Sequence, residues 1–454
     1  MVIIVDYKNA LRGIFMFFMM TVLCREQDTY ASVVKQMSGD LSFRYQDFVN
    51  NVGGVEGNKW WGELNFIYDD KEPFVDHEAK FDFTARYNDA GGFEWALREG
   101  QITYLREYSE FSMGLIVFKW SEIDRIWGLG KINNRVNIDY FNPGQSGLPG
   151  FRFNQRLAKS LEIETYASFL YIPELNPSYK INKEEGTVVS KNPWAPPPEQ
   201  ETTITSGGEP KKIFYHVFVP DFADIILKLS AGFNIRYSFF ENLHLSGFYL
   251  QKPENNLSNT AKLEINSNTL QPNIYVTPRL YYHEIWGGQI TYETKTKQIQ
   301  LYTSYLSSKP DSKPENKDVV EAGGFPFQLE KQQEEYWGTG LIYLFLGGSI
   351  HIGQLSRVST FNDNSVLSKK PRWGEAANLS LVYNFYPNLS FFTEIFYDYS
   401  NHDRLFSVDL TYVLNQSLAL SLGANVLTSP QNGVGFWNPF KANDSIYAKL
   451  GLVF

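Results

Sequence analysis

Residues 161–171 read LEIETYASFLY. Leu161, Ile163, Ala167, Phe169 and Tyr171 share one parity, and Glu162, Glu164, Tyr166 and Ser168 share the other. A period of two sets these groups on opposite faces of an extended strand, one apolar and one polar. The pattern recurs along the chain. LSFRYQDF (41–48) sets Leu41, Phe43 and Tyr45 against Ser42, Arg44 and Gln46. AKFDFTARY (79–87) sets Phe81, Phe83, Ala85 and Tyr87 against Lys80, Asp82, Thr84 and Arg86. LKLSAGFNIRYS (227–238) sets Leu229, Ala231, Phe233, Ile235 and Tyr237 against Lys228, Ser230, Asn234 and Arg236. No long stretch of helical period interrupts the series after residue 37.

The alternating stretches exceed the roughly five or six residues usual in globular sheets. They match the length of a tilted strand crossing a bilayer. The connections alternate too. Brief polar turns at 108–110, 157–160, 239–242, 294–297, 346–348, 386–388 and 414–417 have between them long polar segments at 121–148, 172–225, 252–279, 308–333 and 359–373, with a last one at 429–442. Short turns at one end and long loops at the other define a transmembrane antiparallel β-barrel. Counting predicts about 18 strands, with 16 as the nearest alternative. Residues 213–222 and 273–282 fit either a further hairpin arm or an extension beyond the barrel. A β-sandwich or β-helix accounts for the alternation but not for the rhythm of the connections.

Composition agrees. Aromatic residues make up 16% of the chain, with 35 Phe, 28 Tyr and 10 Trp, the types that strands and membrane interfaces favour. The formal charge of −9 argues against nucleic acid, whose phosphates call for a basic face. The single cysteine, Cys24, rules out an intramolecular disulfide and a Cys-based metal site. Lys8 and Arg12 precede the apolar run GIFMFFMMTVLC (13–24), the layout of a secretory signal too short to span as a helix. The expected organisation is a signal peptide at 1–31, cut after Ala31, and a single barrel over 32–454. Lipidation of Cys24 and a structural helix are the rival readings. Too little chain lies between residue 31 and the first strand for a plug domain.

Residues 99–156 carry a more specific pattern. Trp120-Ser121-Glu122 ends a strand pair, an Asn-, Pro- and Gly-rich loop with Asn133, Asn134, Asn142 and Pro143 follows, and Leu148-Pro149-Gly150 opens the next strand. This stretch resembles bacterial outer-membrane porins of the alginate-export-like families. The resemblance implies a barrel of about 18 strands narrowed by a loop folded into its lumen. It also implies a solute channel in which lumen charges select the cargo. The loop and its flanks hold Lys119, Glu122, Asp124, Arg125, Lys131, Arg135, Asp139, Arg152 and Arg156. This mixture is no dense arginine lining, so alginate itself is a poor fit.

The functional expectation is passive or facilitated diffusion of small hydrophilic solutes, saccharides or anions among them, across a bacterial outer membrane. Those nine residues are the candidate pore constriction, beside the inward strand charges Arg44, Glu63, Arg86, Glu162, Glu164, Arg236 and Glu394. The bland reading of each is a salt bridge that fills the lumen. A barrel whose long loops bind ligands or surfaces is the alternative function. No enzyme is expected. His244 and Ser246 stand two apart on one strand, a pairing seen in barrel phospholipases. Leu243, Leu245 and Tyr249 claim the lipid face, and the pair is therefore turned inward. No histidine has metal-ligand spacing, no phosphate loop is present, and no cofactor is predicted.

The last strand, SIYAKLGLVF (445–454), sets Ile446, Ala448, Leu450, Leu452 and Phe454 toward lipid and Tyr447, Lys449 and Gly451 toward the lumen. It must pair with the first strand, because lipid tolerates no open sheet edge. A terminal Phe454 resembles the signal that directs bacterial barrels to their assembly machinery. The expected partners are membrane lipid, that machinery and a small solute. Nothing in the sequence specifies an oligomer.

Overall fold

The computed structural model describes residues 37–48, 58–70, 77–88, 92–176 (without 138 and 142), 180–182, 187–189, 203–206, 209–212, 214–217, 221–265, 272–311, 325–328, 333–358, 371–415, 418–430, 435–440 and 443–453. The proposed signal peptide, Cys24 and Phe454 lie outside these residues.

The chain enters with β1 (Met37–Phe48), β2 (Asn58–Asp70), β3 (His77–Asn88), β4 (Gly92–Arg106) and β5 (Ser109–Ile116). The next connection holds the helical turn α1 (Glu122–Ile126) and the small hairpin β6 (Asn134–Val136) and β7 (Gly144–Ser146). Next come β8 (Leu148–Ala158) and β9 (Leu161–Ser168). A second long connection carries β10 (Lys180–Asn182), β11 (Thr187–Val189), β12 (Thr203–Ser206), β13 (Glu209–Lys212), β14 (Phe214–Val217) and α2 (Phe222–Ile226). The chain continues through β15 (Ser230–Phe240), β16 (Leu243–Pro253), β17 (Ser258–Ile265), β18 (Pro272–Arg279), β19 (Tyr282–Glu293), β20 (Ile299–Pro310) and β21 (Phe325–Gln328). It finishes with β22 (Glu334–Phe345), β23 (Gly348–Arg357), β24 (Glu375–Tyr386), β25 (Leu389–Asp398), β26 (Arg404–Asn415), β27 (Leu418–Thr428) and β28 (Ser445–Val453).

Eighteen of these strands form one antiparallel sheet, each beside its nearest wall neighbour along the chain. The sheet closes because β28 pairs with β1, Phe43 opposite Leu450 and Arg44 opposite Lys449. Closure leaves no edge, and the backbone groups of the wall are paired within it. The alternation reads as expected. Phe43, Phe233, Leu245, Trp286, Ile352, Leu422, Ile446 and Leu450 stand exposed on the outer face, while Ser42, Gln46, Asn234 and Asn425 are buried on the inner one. A continuous apolar exterior of this extent calls for lipid, not water, around the barrel.

Three expectations need correction. β5 stops at Ile116 rather than 120, because Phe118 and Trp120 leave the wall to pack inside. β15 begins at Ser230 rather than 226, because α2 occupies 222–226. Tyr171, read as outward, lies past the end of β9 and is buried, its hydroxyl bonded to the Glu254 carbonyl. The ambiguous segments belong to a separate four-stranded sheet, in the order β14–β18–β17–β21. Its central hairpin continues β16 and β19, and its outer strands are crossed. β14 precedes β15, the neighbour of β16, yet pairs with β18. β21 follows β20, the neighbour of β19, yet pairs with β17.

Candidate functional site

The site begins where β5 ends. The described residues of 117–147 do not project from the barrel; they run along the inside of the wall. Their contacts follow the circumference. The Phe118 ring meets Tyr166 of β9 at 4.9 Å and Trp120 meets Phe248 of β16 at 6.2 Å. Glu122 N donates to Gln289 of β19 at 2.8 Å, and Trp127 meets Phe396 of β25 at 5.5 Å. Asp139 reaches Arg44 of β1 at 3.7 Å, and Gly147 N donates to the Arg98 carbonyl of β4 at 2.7 Å. The loop is an inner belt.

A dry core holds the belt in place. Ile116, Phe118, Trp120, Ile123, Trp127, Leu129 and Ile132 form one buried cluster with Phe248, Leu250, Ile285, Leu306, Leu355, Leu405 and Leu427 of the wall. A band of inward positions near the long-connection end of β16–β27 is thus apolar, against the usual polar-in rule for lumens. Gly338 makes the approach possible. A Cβ there would stand 2.4 Å from Ile123 Cγ2, so a larger residue displaces α1. Trp373 Nε1 donates to the Trp127 carbonyl at 3.0 Å, and Arg372 donates to the Tyr140 carbonyl at 3.0 Å while lying 4.8 Å from the Trp437 ring. Burial, and then the charge of Arg135, lower the Arg372 guanidinium to about 9.

A buried polar network adds direction to this packing. Ser121 caps α1 through Asp124 N. The Asp124 carboxylate accepts from Lys131 N at 2.7 Å and Ile132 N at 3.0 Å, which closes the turn after the helix. Burial pushes this carboxyl upward, and the two backbone bonds oppose the shift. Arg135 Nε donates to Glu174 Oε1 at 3.0 Å, and its Nη1 to the Gly128 carbonyl at 3.1 Å. Gly130, at φ +66°, lies over that side chain, where a Cβ would fall 2.6 Å from Arg135 Nε. Asn137 and Asn256 also donate to Glu174. Lys252, fully buried, donates to Asn134 and Asn255 at 3.1 and 2.5 Å. Removing one partner of the buried Arg135–Glu174 pair leaves an uncompensated charge and costs about 3–5 kcal/mol.

The nine predicted residues therefore divide. Asp124, Arg135 and Asp139 are buried inside the belt, and Lys131 bridges to Glu334 at 2.9 Å. Lys119 is exposed, standing between Phe118 and Trp120, whose rings face the wall. Arg125 is exposed and hydrogen-bonded to Glu122 at 2.9 Å on the open side of α1. Arg152 donates to Ser112 at 2.8 Å on the inner wall, and Arg156 lies exposed near the short-turn end of β8. Glu162 pairs with Arg236 at 3.6 Å across β9 and β15. Glu63 and Arg86 occupy facing register positions on β2 and β3. His244 and Ser246 fall on the inward parity, with His244 Nδ1 2.8 Å from Ser238 Oγ.

Sequence reasoning missed Glu174, Lys252, Arg372 and the tryptophans Trp127, Trp373 and Trp437 as structural members of the site. The signal for the tryptophans was present. A large aromatic in an otherwise polar connection, as in PRWG (371–374) or GFWNPF (435–440), has to bury itself somewhere.

No family model matches the chain, and no curated protein matches it. Solved barrels are similar in backbone course. A BenF-like porin from Pseudomonas fluorescens Pf-5 aligns at a TM-score of 0.48 and 9% identity, over 92% of this chain and 97% of that one. Acinetobacter baumannii OccAB1 gives 0.47 and 9%, over 92% and 95%. Pseudomonas aeruginosa OccK2 (OpdF), solved in complex with glucuronate, gives 0.47 and 9%, over 92% and 97%.

Proposed function

We propose that the protein is a porin of a bacterial outer membrane, a channel for diffusion of small hydrophilic solutes, saccharides and anions included. One observation carries the reading. The belt is anchored on the apolar arc of the wall and leaves ionisable groups uncovered on its open side and on the facing arc. Lys119, Glu122 and Arg125 on the belt, with Arg152, Arg156, Glu162 and Arg236 on the wall, are the residues a passing solute meets. Fixed charges at close quarters bias which solutes pass. Asp124, Lys131, Arg135 and Asp139 act on passage indirectly, by holding the belt. The narrower likeness of residues 99–156 to alginate-export-like porins supports the in-folded loop and the solute class, not alginate. The closing strand, with Phe454, is the contact for barrel-assembly machinery.

Planar-bilayer recording of the purified barrel tests this. Discrete conductance steps are expected, and deletion of 123–145 should enlarge them. A sealed barrel that binds a surface ligand instead would establish the binding role in place of transport.

A further inference from the structure

Two aspartates end the β25–β26 connection at the long-connection end of the barrel, and they are treated oppositely. Asp398 is fully buried and well served. Its carboxylate accepts from Gly374 N at 2.8 Å, Ser400 N at 2.9 Å, Ser400 Oγ at 2.6 Å, Asn401 N at 3.0 Å and Asn401 Nδ2 at 3.3 Å. Asp403 is 1% exposed, yet neither of its carboxylate oxygens has a hydrogen-bond partner. A buried carboxylate without donors is costly. The surroundings worsen the balance, because the charge of Asp398 acts on Asp403 and the nearby cation is only the weakly basic His402. The Arg404 guanidinium is engaged elsewhere, over the Tyr397 ring at 5.2 Å.

Two neutral groups lie close to Asp403. The Ser429 hydroxyl lies beside it and favours its charged form, and is itself buried with no other partner. The Gly435 backbone passes so close that a Cβ there would stand 2.6 Å from Asp403 Oδ2 and 3.1 Å from Asn401. Asn401 uses its amide nitrogen on Asp398, which leaves its carbonyl oxygen for another partner. A carboxylate, a hydroxyl and an amide carbonyl are the ligands a hard divalent cation takes, and calcium tolerates irregular geometry completed by water.

We propose that Asp403, Ser429 and Asn401 form a calcium site that ties the β25–β26 connection to the segment after β27. Among the described residues no group of three His, Cys, Asp or Glu forms a metal cluster, so the site depends on neutral oxygens and its affinity is low. A dissociation constant of roughly 10⁻⁴–10⁻³ M is expected, as in extracellular calcium modules.

A proton is the rival occupant, since burial raises the Asp403 carboxyl to about 6. The test uses the full barrel refolded without lipopolysaccharide, stripped with EDTA and titrated with calcium chloride at pH 7.5 by calorimetry. One saturable site is expected. Asp403→Asn should weaken it at least tenfold and Ser429→Ala severalfold. Calcium should also raise the melting temperature of the unmodified barrel at pH 7.5 and leave that of Asp403→Asn unchanged. Absence of saturable binding, equal binding by Asp403→Asn, or an equal rise in the melting temperature of Asp403→Asn would each overturn the site.

Discussion

The inner wall has two unlike arcs. From β16 to β27, a band of inward residues near the long-connection end, Leu250, Ile285, Leu306, Tyr336, Leu355, Leu405 and Leu427, is apolar or aromatic and buried under the belt. From β28 through β5 and on to β15, the inward positions carry Lys449, Arg44, Lys80, Asp82, Glu99, Arg152, Glu162 and Arg236, with ion pairs such as Lys80–Glu99 at 2.5 Å and Arg98–Asp82 at 2.6 Å. The outer faces of both arcs are alike. A barrel strand thus obeys one rule on its lipid side and two on its lumen side. The first lumen rule serves apolar packing and the second serves charge pairing. The difference teaches that a lumen position belongs to whatever lies over it, protein or water.

Breaking the packed arc should have the largest effect. Trp127→Ala removes a ring buried against Trp373 and Phe396, and a loss of about 3–5 kcal/mol is expected. Denaturant unfolding in detergent measures it, and bilayer recording should show larger, noisier steps as the belt loosens. Gly338→Val keeps the ring but inserts a side chain where Ile123 sits, with an expected cost of about 1–3 kcal/mol and a change in step size without loss of the barrel. The charged arc should respond in the opposite way. Glu162→Gln breaks a half-exposed pair with Arg236, so stability should change by no more than about 1 kcal/mol. The anion-to-cation permeability ratio should rise. A stability loss as large as that of Trp127→Ala would erase the distinction between the arcs.

The smallest expected effect is one of pH and concerns the rim. The Asp403 carboxyl is raised from 3.8 to about 6 in the folded chain, so folding favours its protonated form. In calcium-free buffer this contribution is complete below pH 4 and fades as pH rises through 6. Melting temperature followed across that range should fall slightly for the natural chain and less for Asp403→Asn.

The barrel was legible because lipid imposes a period of two on every strand, and that period survives in the letters of LSFRYQDF and LEIETYASFLY. The connections were legible only as lengths. Lys119 and Asp124 look alike to a reader of sequence, both charged and both in one loop. Their fates differ because Phe118 and Trp120 turn Lys119 away from the wall, while two backbone N–H groups seven and eight residues later hold Asp124. Partners such as Arg135 and Glu174, 39 positions apart, leave no local trace. Aromatics stranded in polar connections were the one local hint of the interior core. Reading them as buried anchors would have found Trp373 and Trp437.

The seam between β1 and β28, where Gln46 donates to Ser445 across 399 positions, also sets a timetable. The interior core draws on residues from Ile116 to Phe440, so it is incomplete until the final hairpin arrives. Contacts of such sequence separation form late, after the ordering cost of the intervening chain has been met. The belt's apolar core is complete only when the segment after β27, with Trp437 and Phe440, is in place.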